Sequence, residues 1–132
     1  MIRIKATWIR DQEFSGNHEG NEIRIDGNKK NGHGPKALLL SGLAACSGID
    51  VVEILQKMRV EFDGFFMEVE TEQTQEHPKV FRDILIIYHI HTDPANEQKV
   101  RKAIELSLNN YCGVSAMLKK NSRINYRLEI EK

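Results

Sequence analysis

The 132-residue chain lacks an excess of charge of either sign, because 19 Lys and Arg residues balance 19 Asp and Glu residues. Proteins that bind nucleic acid or anionic membranes through a basic surface usually carry such an excess, so both functions are disfavoured. Cysteine is also scarce: Cys46 and Cys112 alone exclude a disulfide scaffold and a cysteine-rich zinc site. The longest mostly apolar run, residues 37–46, is too short to span a bilayer. With no signal-peptide pattern at the start, we expect a soluble cytoplasmic protein.

The remaining composition is that of a folded domain, since 40% of the residues are hydrophobic. At this length we expect one domain covering residues 1–132. Alternating apolar and polar residues predict strands, and the first two are expected to form a hairpin. The order of elements favours an α+β fold over a doubly wound parallel sheet. The predicted strands are 2–9, 22–26, 60–74, 80–92 and 123–131, and the predicted helices are 36–59, 94–108 and 113–120.

The first predicted helix is unusual because residues 37–46 are apolar on nearly every side. Such a helix must be covered on all faces, whereas one small sheet covers a single face. A second copy of the chain would supply the missing cover, and Gly42 and Gly48 would permit close approach of two backbones. Alternatively, the C-terminal helices cover this helix within one chain. We expect an obligate homodimer with the helix at its centre.

The two thiols occupy different predicted positions. Cys46 falls in the middle of the apolar helix and would need an external cation to ionise. Cys112 falls at the start of a later helix, where the positive end of the helix dipole should lower the pKa of a thiol. Alternatively, each cysteine serves only as a small buried hydrophobic residue.

Three separated segments carry a shared pattern: LLLSGLAACSGIDVV at residues 38–52, preceded by Gly34-Pro35, EHPKVF at 76–81, and AIELSLNNYCGVS at 103–115. They resemble the OsmC/Ohr family of osmotically induced and organic hydroperoxide resistance proteins, the second segment especially its YhfA-like branch. The resemblance implies an intertwined α+β homodimer with antiparallel sheets around central long helices.

The same resemblance implies a thiol-dependent hydroperoxide reductase that needs no cofactor. Cys46 would be the peroxidatic thiolate, which attacks a small organic hydroperoxide and becomes a sulfenic acid. Cys112 would resolve it as a disulfide, and a dithiol reductant would restore both thiols.

Two residues that accompany the thiols in the family's peroxidases are not matched. The family Arg, which comes from the neighbouring subunit, corresponds to His18, and a histidine is mostly neutral at pH 7. The family Glu, at the start of the cysteine helix, corresponds to Lys36 or the residue after it. Lys36 could supply charge, and Glu53 could replace the missing carboxylate. We therefore expect weak activity or altered substrate choice.

Two alternatives remain open. The first is a non-enzymatic dimer that holds a small apolar ligand or senses redox state, with structural or sensory cysteines. The second is a metal site, formed by His89 and His91 on one face of a strand, or by His18 and His33 with Cys46. Neither set has a telling ligand spacing, so we expect no metal.

Overall fold

The computed structural model describes residues 1–131, and the chain divides into two compact units that meet in sequence between Ser41 and Gly42. The first unit contains a three-stranded antiparallel sheet. The second contains a three-stranded mixed sheet and the later helices of the chain. The expected α+β class is confirmed. The expectation of a single domain stays a prediction.

The first sheet runs in the order β1 (Lys5–Arg10), β2 (Glu13–His18) and β3 (Asn21–Asp26). The predicted hairpin is therefore wrong in detail, because residues between the two predicted strands form the middle strand. The actual turn is the pair Glu19-Gly20, with φ of 49° and 82°. Positive φ at both central residues suits a two-residue hairpin turn, and Gly20 adopts that conformation at little energetic cost.

One face of the first sheet is apolar and open to solvent. The pairing register aligns Trp8 with Phe14 and Phe14 with Ile25, and it aligns Gly16 with Ile23 in the next row. Trp8 is 63% exposed and Ile23 is 51% exposed. A single exposed apolar residue is ordinary, but a row of them across three strands marks a surface suited to burial.

The long helix α1 spans Pro35–Lys57, within two residues of its predicted limits. Its buried stripe recurs every four residues at Leu43, Ser47, Val51 and Leu55. Other apolar side chains of the helix stay exposed, including Ile49 at 60%.

The two glycines predicted to allow close approach have different surroundings. A Cβ at Gly48 would lie 2.7 Å from the Met67 side chain, whereas one at Gly42 would meet nothing within 4 Å in the described chain. The close approach at Gly48 is therefore to Met67 of the same chain.

By length and composition alone, α1 satisfies the criteria for a membrane-spanning helix, contrary to the expectation from the ten-residue run. The core helix of a soluble protein satisfies the same criteria. The stripe that α1 buries in the second unit is typical of such a core helix, so the match carries little weight.

The second sheet has the order β4 (Phe62–Gln73), β5 (Phe81–Thr92) and β6 (Ile124–Glu131). β4 and β5 are antiparallel, but β6 pairs with β5 in parallel, so the expectation of purely antiparallel sheets is wrong. The physical reason is the connection between them, which contains α2 (Glu97–Leu106) and α3 (Gly113–Leu118). A helical crossover returns the chain in the direction of the strand it left.

The central strand β5 and helix α2 supply most of the core of the second unit. Their fully buried side chains alternate along the strand and recur at helical spacing, which explains why both elements were predictable. These residues are Ile84, Ile86, Tyr88, Ile90, Val100, Ala103 and Ile104.

Candidate functional site

The second unit brings the two cysteines together. Cys46 lies on α1 and is partly buried, and Cys112 lies immediately before α3 with 3% of its surface exposed. The two side chains lie close enough for Cys46 to raise the pKa of the Cys112 thiol. Both cysteines are free thiols in this structure. Two sulfur atoms distant in sequence therefore share one site.

A π-helical turn, Ser107–Tyr111, sets the position of Cys112. The predicted helix was expected to run unbroken over residues 94–108, but α2 ends at Leu106 and the wider turn follows. The Cys112 N–H donates to the Ser107 carbonyl at 2.7 Å, which is the i to i−5 bond that defines this turn. Single π turns are rare and occur often at functional sites.

The electrostatics of Cys112 differ from the sequence expectation. Burial raises the pKa of the Cys112 thiol, and its interaction with the Cys46 thiol raises it further. The Ser115 N–H donates to Cys112 Sγ at 3.3 Å and opposes these effects without overcoming them. The prediction that the start of a helix lowers the pKa of Cys112 is thus wrong. Desolvation of the thiol outweighs the one backbone donor at the start of the six-residue helix α3.

Four polar side chains form a chain of hydrogen bonds beside the thiols, which we call the hydroxyl chain. Tyr88 Oη lies 2.6 Å from Ser47 Oγ, Ser47 Oγ lies 2.9 Å from Ser107 Oγ, and Ser107 Oγ lies 3.0 Å from Asp50 Oδ2. Tyr88, Ser47 and Ser107 are fully buried. Burial raises the pKa of Tyr88 to about 12; its hydrogen bond with Ser47 opposes this, while Cys112 and Asp50 add to it.

Sequence reasoning missed the hydroxyl chain, although two signals for it were present. Ser47 directly follows Cys46 on the helix and Asp50 lies one turn further along, and polar residues on a buried face need partners. Tyr88 occupies the most apolar strand, where a tyrosine hydroxyl also needs a partner.

A cleft of about 440 Å³ adjoins the Cys112 segment. Its described lining includes Tyr111, Cys112, Lys119 and Lys120 and contains no carboxylate. Tyr111 is 62% exposed at the rim. The cleft offers a route by which a small molecule could reach the Cys112 side of the thiol pair.

The three proposed substitutes for the family's Arg and Glu lie in different parts of the chain. His18 ends β2 and Lys36 begins α1, both in the first unit, whereas the thiols lie in the second. Glu53 is exposed on α1. The carboxylate that joins the hydroxyl chain is Asp50, which sequence reasoning did not select.

Three of the four histidines considered as metal ligands have side-chain partners. His89 Nε2 lies 2.7 Å from Glu68 Oε1 and its ring stacks on Phe66 at 4.3 Å. His91 pairs with Asp63, and His33 Nδ1 lies 3.2 Å from Ser41 Oγ. Over residues 1–131, no group of three or more His, Cys, Asp or Glu side chains is arranged to hold a metal ion.

Comparison with known proteins places this geometry in context. Residues 27–127 match the family model described as OsmC-like protein. Protein YhfA of Escherichia coli K12 is 29% identical over 131 residues, which is 98% of both chains.

Solved structures show the same fold. An OsmC-like protein from Mycoplasma pneumoniae has a TM-score of 0.87 at 22% identity and covers 100% of this chain and 98% of its own. The organic hydroperoxide resistance protein OhrB of Bacillus subtilis has a TM-score of 0.65 at 16% identity and covers 98% of both chains. At these identities the likeness concerns the fold alone.

Proposed function

Because this chain belongs to the OsmC-like protein family, as its motifs predicted, we propose that it is a thiol-dependent hydroperoxide reductase. The observation that carries the proposal is the electrostatic interaction between the Cys46 and Cys112 thiols. Similarity to YhfA over the whole chain and to a structure named for organic hydroperoxide resistance supports it.

The unequal surroundings of the two sulfurs assign their roles. Cys112 is the more buried, and its raised pKa keeps it protonated. Cys46 is more accessible to solvent. A nucleophile must be reached by substrate, whereas a resolving thiol needs only to reach its partner sulfur. Cys46 is therefore the attacking residue and Cys112 the resolving one.

The reaction proceeds in three balanced steps. The Cys46 thiolate attacks the terminal oxygen of an organic hydroperoxide, the O–O bond breaks, and the alkoxide leaves as the alcohol after taking a proton. Cys112 sulfur then attacks the sulfenic acid, forming the S–S bond and releasing water with the Cys112 proton. An external dithiol reduces the disulfide by exchange and becomes a disulfide itself. Such a cycle suits the cytoplasm, where thiols are kept reduced.

We propose slow turnover, because neither the family Arg nor the family Glu is matched. In the described chain, the groups available to replace the family Arg and Glu are His18 and Lys36, in the first unit, and Asp50, in the hydroxyl chain beside the thiols. A neutral histidine stabilises a thiolate less than a permanently charged guanidinium does.

We also propose that the active form is a homodimer. Apolar side chains remain exposed on α1 and on the first sheet, among them Leu39 at 51% and Trp8 at 63%. Burying them against a second copy would stabilise the assembly at about 25 cal/mol per Å² of apolar surface. Analytical ultracentrifugation tests this, and a stable monomer at micromolar concentration would contradict it.

The function is tested by following cumene hydroperoxide consumption with a dithiol reductant. Cys46→Ser should abolish consumption. Cys112→Ser should allow a single oxidation and leave a sulfenic acid at Cys46 that dimedone traps. Equal consumption by Cys46→Ser and the wild type would show that the proposed chemistry is wrong.

A second candidate function is non-enzymatic binding of a small apolar ligand. A cleft of about 1020 Å³ at the end of α1 favours it, with Val52, Val60 and Phe62 in its lining. Uptake of a hydrophobic fluorescent probe that is unchanged in Cys46→Ser, with no peroxide consumption by the wild type, would support this function over the first.

A further inference from the structure

Ser107 is bonded to both cysteine-bearing segments. Its side chain meets α1, where Ser107 Oγ lies 2.9 Å from Ser47 Oγ and 3.0 Å from Asp50 Oδ2. Its carbonyl oxygen accepts the Cys112 N–H at 2.7 Å. Ser47 directly follows Cys46 on α1. One residue therefore connects the backbone of one cysteine to the neighbour of the other.

The protons of the hydroxyl chain can be assigned from donor capacity. Each hydroxyl has one proton, and the Asp50 carboxylate accepts only. Ser107 Oγ is the donor toward both Asp50 Oδ2 and Ser47 Oγ, so its one proton is shared between two acceptors, and Ser47 Oγ also bonds to Tyr88 Oη. A bond to a carboxylate is roughly twice as strong as a bond between neutral groups. The charge on Asp50 thus orients the chain and holds Ser107 against α1.

We propose that Ser107 is the positioning residue that sets the separation of the Cys46 and Cys112 sulfurs for disulfide formation. The inference rests on the proposed function, because it assigns a role within the resolving step. Ser107 acts through the backbone of Cys112.

Disulfide formation makes strict geometric demands that explain why such a residue is useful. The Cα atoms must lie about 4.4 to 6.8 Å apart with a defined dihedral angle about the sulfurs. A misplacement of about 1 Å can slow a reaction by roughly 100-fold. The π turn adds one residue before Cys112, and the Ser107 side chain fixes where that wider turn rests on α1. Loss of the hydroxyl should loosen the turn and the position of Cys112 together.

The test separates the first oxidation from resolution. One equivalent of cumene hydroperoxide is added to reduced protein, and sulfenic acid and disulfide are quantified over time by dimedone trapping and mass spectrometry. Ser107→Ala should form the Cys46 sulfenic acid at the wild-type rate but convert it to disulfide at least about tenfold more slowly. Asp50→Asn keeps the shape of the side chain and an acceptor oxygen, so it should slow the conversion of sulfenic acid to disulfide by a smaller factor. This variant tests the same contact if Ser107→Ala fails to fold.

The matched control is Ser122→Ala. Ser122 is a buried serine that donates to the Phe81 carbonyl at 3.3 Å and lies in neither cysteine segment. In Ser122→Ala, the Cys46 sulfenic acid should convert to the disulfide at the wild-type rate. A second readout is the equilibrium of the disulfide with oxidised dithiothreitol, which should shift toward the dithiol form by about tenfold in Ser107→Ala.

The outcomes distinguish the inference from the function on which it rests. A wild-type protein that forms the disulfide, with Ser107→Ala and Asp50→Asn resolving as quickly, overturns the positioning role and leaves the function intact. A wild-type protein that forms no Cys46–Cys112 disulfide with the hydroperoxide or with diamide overturns both.

Discussion

Replacement of Tyr88 by Phe should change the pH dependence of stability in a way that isolates the hydroxyl chain. Tyr88 is fully buried, and its hydroxyl lies 2.6 Å from Ser47 Oγ. The substitution keeps the ring, which stacks near Phe65 at 6.5 Å and meets Tyr126 edge-on at 6.0 Å. The variant therefore removes one hydroxyl and little packing.

At neutral pH the variant should be less stable by about 1 kcal/mol. That is the usual net contribution of one buried hydrogen bond between neutral groups. The loss stays small because the Ser47 hydroxyl retains Ser107 Oγ as a partner at 2.9 Å.

At alkaline pH the sign of the difference should reverse. Folding raises the pKa of Tyr88 from 10.0 to about 12, chiefly through burial. A raised pKa stabilises the folded protein fully below the unfolded pKa of 10.0, and this stabilisation is lost as pH rises through the folded value. At 1.36 kcal/mol for each pKa unit, the wild type loses about 2 to 3 kcal/mol between those pH values through this group. The phenylalanine variant has no such loss and should be the more stable protein by about 1 to 2 kcal/mol near the upper value.

Urea unfolding at fixed protein concentration, from neutral pH to pH about 12, measures both curves. Lysines and exposed tyrosines titrate in both proteins and cancel in the difference. A difference in unfolding free energy that stays constant across this range would show that Tyr88 is not held as a buried neutral phenol.

Three further predictions concern other parts of the chain. Gly32→Ala should destabilise the protein by about 2 to 3 kcal/mol in urea, because the new Cβ would lie 2.4 Å from the Arg24 carbonyl oxygen; unchanged stability would refute the packing. Burial would raise the pKa of Asp26, but three backbone N–H donors outweigh this effect and lower it. A lowered pKa stabilises the folded protein at pH values above the unfolded pKa, and this stabilisation is lost as the pH falls through the folded pKa. Asp26→Asn should therefore flatten the acid side of the stability curve, and parallel acid profiles would count against this role. Iodoacetamide at pH 7 should label Cys46 before Cys112, since Cys112 is buried and protonated; peptide mapping that gives the reverse order would overturn the assigned roles.

Elements with a strong apolar period were predictable from the sequence. The helix containing Cys46 and the strand containing Tyr88 bury residues at regular spacing, so their limits shifted by only a few residues. The motifs around Cys46 and Cys112 also identified the family, which the comparisons confirm.

Features that depend on tertiary partners were not predictable in the same way. The middle strand of the first sheet contains Gly16 and Asn17, which are typical of turns, and its pairing with two neighbours overrides that local preference. The parallel direction of β6 depends on where the crossover returns the chain. The raised pKa of Cys112 depends on burial that only the folded chain creates.

The central claim is that Cys46 and Cys112 form one reaction site. It is tested most directly by oxidising the fully reduced protein with one equivalent of organic hydroperoxide and mapping its cysteine-containing peptides without reduction. We expect a linked peptide pair joining Cys46 to Cys112 and the loss of both free thiols. Two free thiols after complete consumption of the hydroperoxide, or a Cys46 oxidised to sulfinic acid beside an unreacted Cys112, would contradict it.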